Sequence, residues 1–185
     1  MFGKKKSVAG LDIGSSSIKM VELEGKLNNL NLVSLGFENL PGDTIIDGQI
    51  MELNVVSDVI QSVCSNHQVN ATNVVTGVSG HSVILKNIVL PPMSREELEE
   101  SIDWHAEEHI PYYLADVSLD YQVTAETGDA THVLIAAGQR ERIDNIKQAI
   151  QLAGKTTVVI DVDPVALQNS YVLNYNHTEY NNVTP

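Results

Sequence analysis

The chain has 185 residues, of which 43% are hydrophobic and 19% are charged, so it can bury the core of one substantial domain or two small ones. Its formal net charge of −13 argues against a nucleic acid partner, because affinity for nucleic acid rests on Lys and Arg neutralising phosphates. The charge does not exclude a nucleotide, which needs only a local pocket of amide groups, one lysine and a metal ion.

The cysteine content and the N-terminal segment indicate the compartment. Cys64 is the one cysteine, which excludes a disulfide framework and fits a reducing compartment. Its position on the apolar side of a predicted helix is typical of an inert core thiol. The segment MFGKKK resembles the charged start of a signal peptide, but Asp12 interrupts the apolar run that follows. No stretch approaches the length of a membrane span, so we expect a cytoplasmic protein.

Hydrophobic periodicity predicts strands and helices in alternation along the chain. The predicted strands are 8–13, 18–23, 30–40, 74–78, 82–90, 117–123, 132–137 and 156–162. The predicted helices are 54–67, 94–109, 140–153 and one that begins at Asp163. The run at 156–162 is almost continuously β-branched, which predicts a central strand buried on both faces. The polar segment from Asn174 onward is expected to fray.

The turn Gly14–Ser17 joins the first two predicted strands and carries the strongest chemical signal. Its small residues let an anion approach the main chain. Asp12 precedes the turn, where a carboxylate could hold magnesium through water, and Lys19 follows it, where an ammonium could meet a phosphate. The segment is not a Walker-type loop, because the sequence lacks the pattern G-x-x-x-x-G-K-[ST]. The alternative is that the turn only connects two strands.

The string GLDIGSSSIKMVEL resembles the first phosphate motif of the actin-like ATPases, and most closely that of the type IV pilus assembly PilM family, which is related to FtsA. The resemblance implies that Asp12 is the carboxylate on the magnesium side of an ATP site. It also implies that Gly14, Ser15 and Ser16 cradle the β-phosphate. Lys19 would reach the phosphates as well. The order of the predicted elements extends this resemblance over essentially the whole chain.

The resemblance implies an α/β fold, with an actin-like (ribonuclease H-like) first domain that carries a small inserted α+β strand-helix-strand-strand subdomain. The implied limits are residues 1–81 for the first part of the first domain, 82–154 for the insertion, and 155–185 for the return to the first domain and the C-terminal tail. After Asp163 the sequence has no second D-x-G turn and no glycine-rich adenosine loop. We therefore expect the second lobe to be absent, and the chain to correspond to the N-terminal half of such a protein.

The segment Asp163-Pro164-Val165-Ala166 resembles the junction of MreB and the chaperone ATPases, whose carboxylate orients the attacking water. This adds Asp163 to the expected ATP site. The alternative is that Asp163 caps the last helix, with Pro164 in its first turn. We expect no turnover from this chain alone, because one face of the nucleotide would stay in water. Catalytic residues are therefore not assigned.

The function implied by the resemblance is that of a cytoplasmic adaptor in the inner-membrane machinery of type IV pili, held at the membrane through a partner. The implied partners are the cytoplasmic N-terminal tail of PilN, in a groove between the first domain and the insertion, and other inner-membrane pilus components. ATP and magnesium are the implied cofactors of an intact protein, and we expect their binding to be weak or absent here. Two alternatives stay open: an actin-like ATPase whose second lobe comes from another chain, and an FtsA-like cell-division protein.

His105 and His109 belong to the pattern H-x-x-E-H of inverted zinc proteases, one turn apart on a predicted helix. No third ligand is apparent in the sequence, and the same predicted helix face carries Leu98 and Ile102. Structural histidines or a binding face are therefore favoured, and no metal site is predicted. Trp104 beside them belongs either to the core or to a contact with a partner.

Overall fold

The computed structural model describes residues 7–26, 29–80 and 83–175, and its helices and strands follow the predicted order. The strands are β1 (Val8–Ile13), β2 (Ser17–Lys26), β3 (Asn29–Asn39), β4 (Ile45–Ile46), β5 (Gln49–Ile50), β6 (Asn73–Val78), β7 (Val83–Leu90), β8 (Val117–Glu126), β9 (Thr131–Gln139) and β10 (Thr156–Val162). The helices are α1 (Leu53–Asn66), α2 (Arg95–Glu107), α3 (Arg140–Leu152) and α4 (Asp163–Tyr175). The N-terminal segment MFGKKK and most of the tail that is expected to fray lie outside the described residues.

A five-stranded sheet in the order β10-β6-β1-β2-β3 forms the centre of the first domain. Strands β1, β2 and β3 are an antiparallel meander, whereas β6 pairs in parallel with both β1 and β10. The predicted hairpin is confirmed, since Ile13 pairs with Ile18 across the turn Gly14–Ser17. Leu11 and Ile18 are buried, and Asp12 and Lys19 next to them are exposed, as period-two alternation requires.

Helices α1 and α3 contribute to the same hydrophobic core against this sheet. The core includes Val56 and Ile60 of α1 together with Ala149 and Ile150 of α3. Gly154, at φ +75°, ends α3 as predicted, and the N–H of Lys155 donates to the carbonyl of Ile150 at 3.1 Å. The family resemblance places this helix within the insertion at 82–154, and the C-terminal half of the helix packs into the core of the five-stranded sheet.

The insertion is a three-stranded antiparallel sheet, β7-β9-β8, with α2 packed against it. The predicted capping box opens α2: the N–H of Glu97 donates to Ser94 Oγ at 3.2 Å, and the N–H of Ser94 donates to Glu97 Oε2 at 2.8 Å. The order strand, helix, strand, strand is thus the one that the sequence predicted. Residues 81 and 82 are outside the described part of the chain, so the predicted boundary there stays a prediction.

Strand β10 differs from its prediction. It lies at the edge of the five-stranded sheet, and within the described part of the chain it pairs with β6 alone. Val158 and Val159 are 46% and 51% exposed, so the prediction of a central strand buried on both faces was wrong. A continuous β-branched run favours a strand but does not fix its place in the sheet.

A short hairpin, β4–β5, was not predicted. Its turn contains Asp47 at φ +50° and Gly48 at φ +75°, the conformation for which an Asp-Gly pair is well suited. The signal was therefore present in the sequence. The two strands of the hairpin have only two residues each, which is too few to show any alternation.

Candidate functional site

A cleft of about 520 Å³ opens on the face of the five-stranded sheet that carries Asp12 and Lys19. It lies on the side of the sheet away from the core formed with α1 and α3, because Gly10 and Asp12 alternate with the buried Ala9 and Leu11. The lining residues come from β1, β2, β3, β6, β10 and α4: Gly10, Leu11, Asp12, Lys19, Met20, Val21, Leu35, Val75, Thr76, Gly77, Val159, Asp161, Asp163 and Ala166. Three of the residues predicted for the ATP site, Asp12, Lys19 and Asp163, are thus brought together.

Asp12 and Lys19 face each other across the first hairpin. Their backbones are directly paired, and Lys19 Nζ lies 2.8 Å from Asp12 Oδ2. Both side chains are more than half exposed, so this ion pair contributes little to stability. The pair therefore leaves both charged groups accessible to a ligand at the mouth of the cleft.

Asp163 is the first residue of α4 and follows β10 directly. Its Oδ1 occupies the space that a Cβ at position 77 would need, so Gly77 is what allows the carboxylate to sit against β6. Asp161, two residues earlier on β10, also lines the cleft, and it accepts a hydrogen bond from the N–H of Val162 at 2.7 Å. Sequence reasoning missed Asp161 and Gly77. The spacing of Asp161 and Asp163 and the glycine inside a buried strand were the available signals.

The predicted phosphate turn is not part of the cleft lining. Ser15 and Ser16 are exposed and Ser17 is half-buried. The N–H of Gly14 donates to the carbonyl of Ser17 at 3.1 Å, so this amide is engaged within the turn. The carbonyl of Ser16 accepts the N–H of Leu40 at 2.9 Å, which fixes the turn to the end of β3. The residues of the turn therefore do not line the cavity that Asp12, Lys19 and Asp163 share, although Gly14 lies close to the Lys19 ammonium.

Asp12, Lys19 and Asp163 are the cleft residues that could hold a magnesium-phosphate group. Within residues 7–26, 29–80 and 83–175, no three side chains of the His, Cys, Asp and Glu types are grouped closely enough to hold a metal. Magnesium, however, is usually held by one or two carboxylates together with water and phosphate oxygens. Asp12 and Asp163 would supply the carboxylates, and Lys19 would supply a cation for a phosphate. When bound, such a metal would neutralise phosphate charge.

A second concave site, the sheet-sheet groove, lies between β10 and the insertion and has a volume of about 290 Å³. Its lining comes from both domains: Val78, Val83, Ser118, Leu119, Asp120, Ala136, Ala137, Gly138, Ile143, Lys147, Thr157, Val158, Val159, Ile160 and Val162. The lining is mostly apolar, and Asp120 and Lys147 are its charged members. The sequence implied a groove here only through the family resemblance, and it did not identify these residues.

The histidine pattern on α2 does not form the expected helical pair. The helix ends at Glu107, and His109 lies in the following turn, where its N–H donates to the carbonyl of Ala106 at 2.9 Å. The buried series on α2 is Leu98, Ile102 and Ala106, so the expectation that both histidines share the apolar face was wrong.

In the part of the chain that the structure describes, no helix is both long and apolar enough to cross a bilayer.

Solved structures are similar to this fold over most of the chain. A chain of the PilM–PilN type IV pilus biogenesis complex matches with a TM-score of 0.77 and 30% identity, over 86% of this chain and 48% of that chain. The cytoplasmic domain of EpsL, an inner-membrane component of the type II secretion system of Vibrio cholerae, matches with a TM-score of 0.58 and 14% identity, over 86% of this chain and 58% of that domain. These matches and the sheet order confirm the predicted α/β, actin-like fold class.

The family model described as type IV pilus assembly protein PilM matches residues 10–182. The chain therefore belongs to the PilM family, as its N-terminal string suggested. It spans about half the length of the PilM structure that it matches.

Proposed function

We propose that this chain is an adaptor of the type IV pilus machinery that docks a PilN-type cytoplasmic tail in the sheet-sheet groove. The proposal is supported by family membership and by the partner in the matched complex, which is a PilM–PilN complex. The observation that carries it is the groove itself, whose two walls come from the first domain and from the insertion. Held at the membrane through this partner, the chain would act on the cytoplasmic side of the inner membrane, together with other pilus components.

The groove offers two kinds of contact for an extended peptide, apolar contacts and main-chain hydrogen bonds. Val158 and Val159 present exposed apolar side chains along β10, which would anchor apolar side chains of a peptide. Strand β10 is also a sheet edge, and an extended peptide can add to such an edge through main-chain hydrogen bonds. Thr157 Oγ1 is buried and has no hydrogen-bond partner among the described residues, so the wall also holds a polar atom that a ligand could satisfy.

Calorimetric titration with a peptide of the PilN cytoplasmic tail tests the docking proposal. Val158→Asp places a charge in the apolar wall and is expected to weaken binding by about tenfold or more, since a charge there loses its hydration when the peptide binds. The matched control is Val89→Asp on β7, because Val89 is 63% exposed and does not line the groove. Equal affinity of both variants, or no binding by the unmodified chain, would refute docking at this groove.

The cleft supports a second part of the proposal, half of an ATP site. The observation in its favour is the convergence of Asp12, Lys19, Asp161 and Asp163 around one cavity. Titration of the same chain with magnesium-ATP distinguishes ATP binding from peptide docking, and the variant Asp12→Ala is the comparison for ATP binding. Peptide binding without ATP binding would identify a docking module. ATP binding without peptide binding would refute the adaptor and favour the alternative of an actin-like ATPase completed by another chain.

A further inference from the structure

A concave surface at the C-terminal end of α2, the aromatic groove, is independent of both sites described above. Its volume is about 610 Å³, and it shares no lining residue with the sheet-sheet groove or the cleft. Its lining residues are Trp104, Glu107, Glu108, Ile110, Pro111, Tyr112, Tyr113 and Asp116. All but Ile110 belong to the exposed surface of the insertion.

The aromatic side chains of this groove are exposed to an unusual degree. Trp104 is 61% exposed, Tyr113 is 82% exposed and Tyr112 is 39% exposed. The indole meets the ring of His105 edge-on at 4.8 Å. Helix α2 is held to its sheet by other residues, chiefly Leu98, Ile102 and Ala106, so packing of the insertion does not require these aromatics. Clustered exposed aromatic rings of this kind mark a surface for interaction.

The rim of the groove is acidic. Glu107, Glu108 and Asp116 are exposed, and none of them forms an ion pair within the described residues. Glu107 and Glu108 also stand at the negative end of the α2 dipole, where carboxylates are unfavourable. Carboxylates that are kept at an unfavourable helix end are typical of functional surfaces. A bound cation would offset both the mutual repulsion and the dipole.

The basic groups near the rim form no ion pair with its carboxylates within the described residues. The guanidinium of Arg140 donates from Nε to the carbonyl of Ala115 at 3.0 Å, and from Nη2 to the carbonyl of Val117 at 2.5 Å, so it is engaged with the main chain beside β8. His105 is half-buried against Trp104, and His109 is exposed in the turn after α2. The groove thus combines exposed π faces with three carboxylates, which is the complement of a guanidinium or an ammonium group.

We propose that the aromatic groove binds a basic segment of a partner protein, with arginine or lysine side chains lying over Trp104 and Tyr113. Glu107, Glu108 and Asp116 accept hydrogen bonds from these cations. Arginine is favoured over lysine, because its planar guanidinium stacks on aromatic rings and meets carboxylates with two parallel hydrogen bonds. An anionic partner such as nucleic acid would be repelled by the same rim. The site leaves the sheet-sheet groove free, so it serves a different partner segment from the one proposed there.

Trp104 is the one tryptophan of the chain, so its intrinsic fluorescence reports directly on this groove. The probe is a short peptide of alternating arginine and serine, and the comparison peptides carry lysine or glutamate instead of arginine. The arginine peptide is expected to change the Trp104 emission with saturation and to bind more tightly than the lysine peptide. Binding should weaken as salt rises, because the rim charges are exposed and screened. No emission change with the arginine peptide, or an equal change with the glutamate peptide, would overturn the proposal.

Variants are compared through the anisotropy of a labelled arginine peptide. Trp104→Leu keeps an apolar side chain but removes the π face, and it is expected to weaken binding about fivefold. Tyr113→Ala is a second test at a more exposed position. Tyr171→Ala on α4, where the ring is 53% exposed, is the matched control and should leave binding unchanged. Loss of binding in the control, or unchanged binding in both groove variants, would contradict the assignment. If the chain associates with itself and Trp104→Leu abolishes this association, the occupant of the groove is a second copy of the chain. That result would also overturn the proposal.

Discussion

Glu22 provides a sharp test of how the first domain is held together. It lies on β2 with only 3% of its surface exposed, on the core side of the sheet. Its Oε2 accepts hydrogen bonds from the N–H of Asn70 at 2.8 Å and from the N–H of Ala71 at 3.2 Å, just before β6 begins. From another side, Lys155 Nζ donates to the carbonyls of Val69 and Ala71, at 3.2 and 2.7 Å. The loop that leads into β6 is therefore fixed by one buried carboxylate and one ammonium.

The change Glu22→Ala removes the acceptor and leaves the two amides without it. Two hydrogen bonds to a charged group contribute about 3–6 kcal/mol together, and the loss should lie near the low end, about 3 kcal/mol, because Asn70 is exposed and water can reach its amide. For a chain of this length, that loss corresponds to a fall in Tm of about 6–12 °C. Glu22→Gln keeps one acceptor oxygen and should lose about half as much.

Thermal and urea unfolding followed by far-UV circular dichroism measure this effect. The matched control is Glu24→Ala on the same strand, because Glu24 is exposed and its loss should change stability by less than about 0.5 kcal/mol. Equal stability of the Glu22→Ala and Glu24→Ala variants would show that the buried carboxylate does not hold the loop, and would refute the reasoning.

Three further substitutions test close packing and an orphaned hydroxyl. Gly36→Ala would drive a Cβ into the ring of His67, so the free energy of unfolding should fall by about 1–3 kcal/mol in urea titrations, and a smaller loss than this range would contradict the packing. Gly77→Ala would displace the Asp163 carboxylate, which a crystal structure of the variant should show as a new rotamer; an unmoved Asp163 would contradict the placement. Thr157→Val removes a buried hydroxyl without a partner among the described residues and should leave Tm unchanged or slightly raised, whereas a clear loss of stability would reveal a missed hydrogen bond.

Most of the fold was predictable because its elements are long and their periodicity is clean. The meander, the four helices and the capping box at Ser94 all follow local rules that depend on neighbouring residues only. The burial of Glu22 could not be predicted from such rules. On a half-buried strand a glutamate is expected to face water, and its burial depends on two amides that lie almost fifty residues further along the chain. The same limit applies to α3, whose packing against α1 depends on a tertiary contact rather than on its own pattern.

The candidate sites were predictable to different degrees. The cleft residues Asp12 and Lys19 are neighbours across a hairpin, so a local motif was enough to bring them together. Gly77 and Asp161 join them only because β6 and β10 are parallel and in register, with Gly77 opposite Asp161. A parallel pairing between distant segments leaves no short-range signal in the sequence. The same is true of the sheet-sheet groove, since one wall comes from β10 and the other from the strands of the insertion, with α3 between β9 and β10 in the chain.

The wrong prediction for β10 is informative about function. A β-branched run such as TTVVIDV is expected to be covered on both faces, yet this strand lies at an edge with two valines about half exposed. Val159 lines both the cleft and the sheet-sheet groove, so the strand forms a wall of each. Exposed apolar surface of this kind is typical of an interaction site. The position where the sequence rule fails is thus the position at which both proposed sites of this PilM-family chain meet.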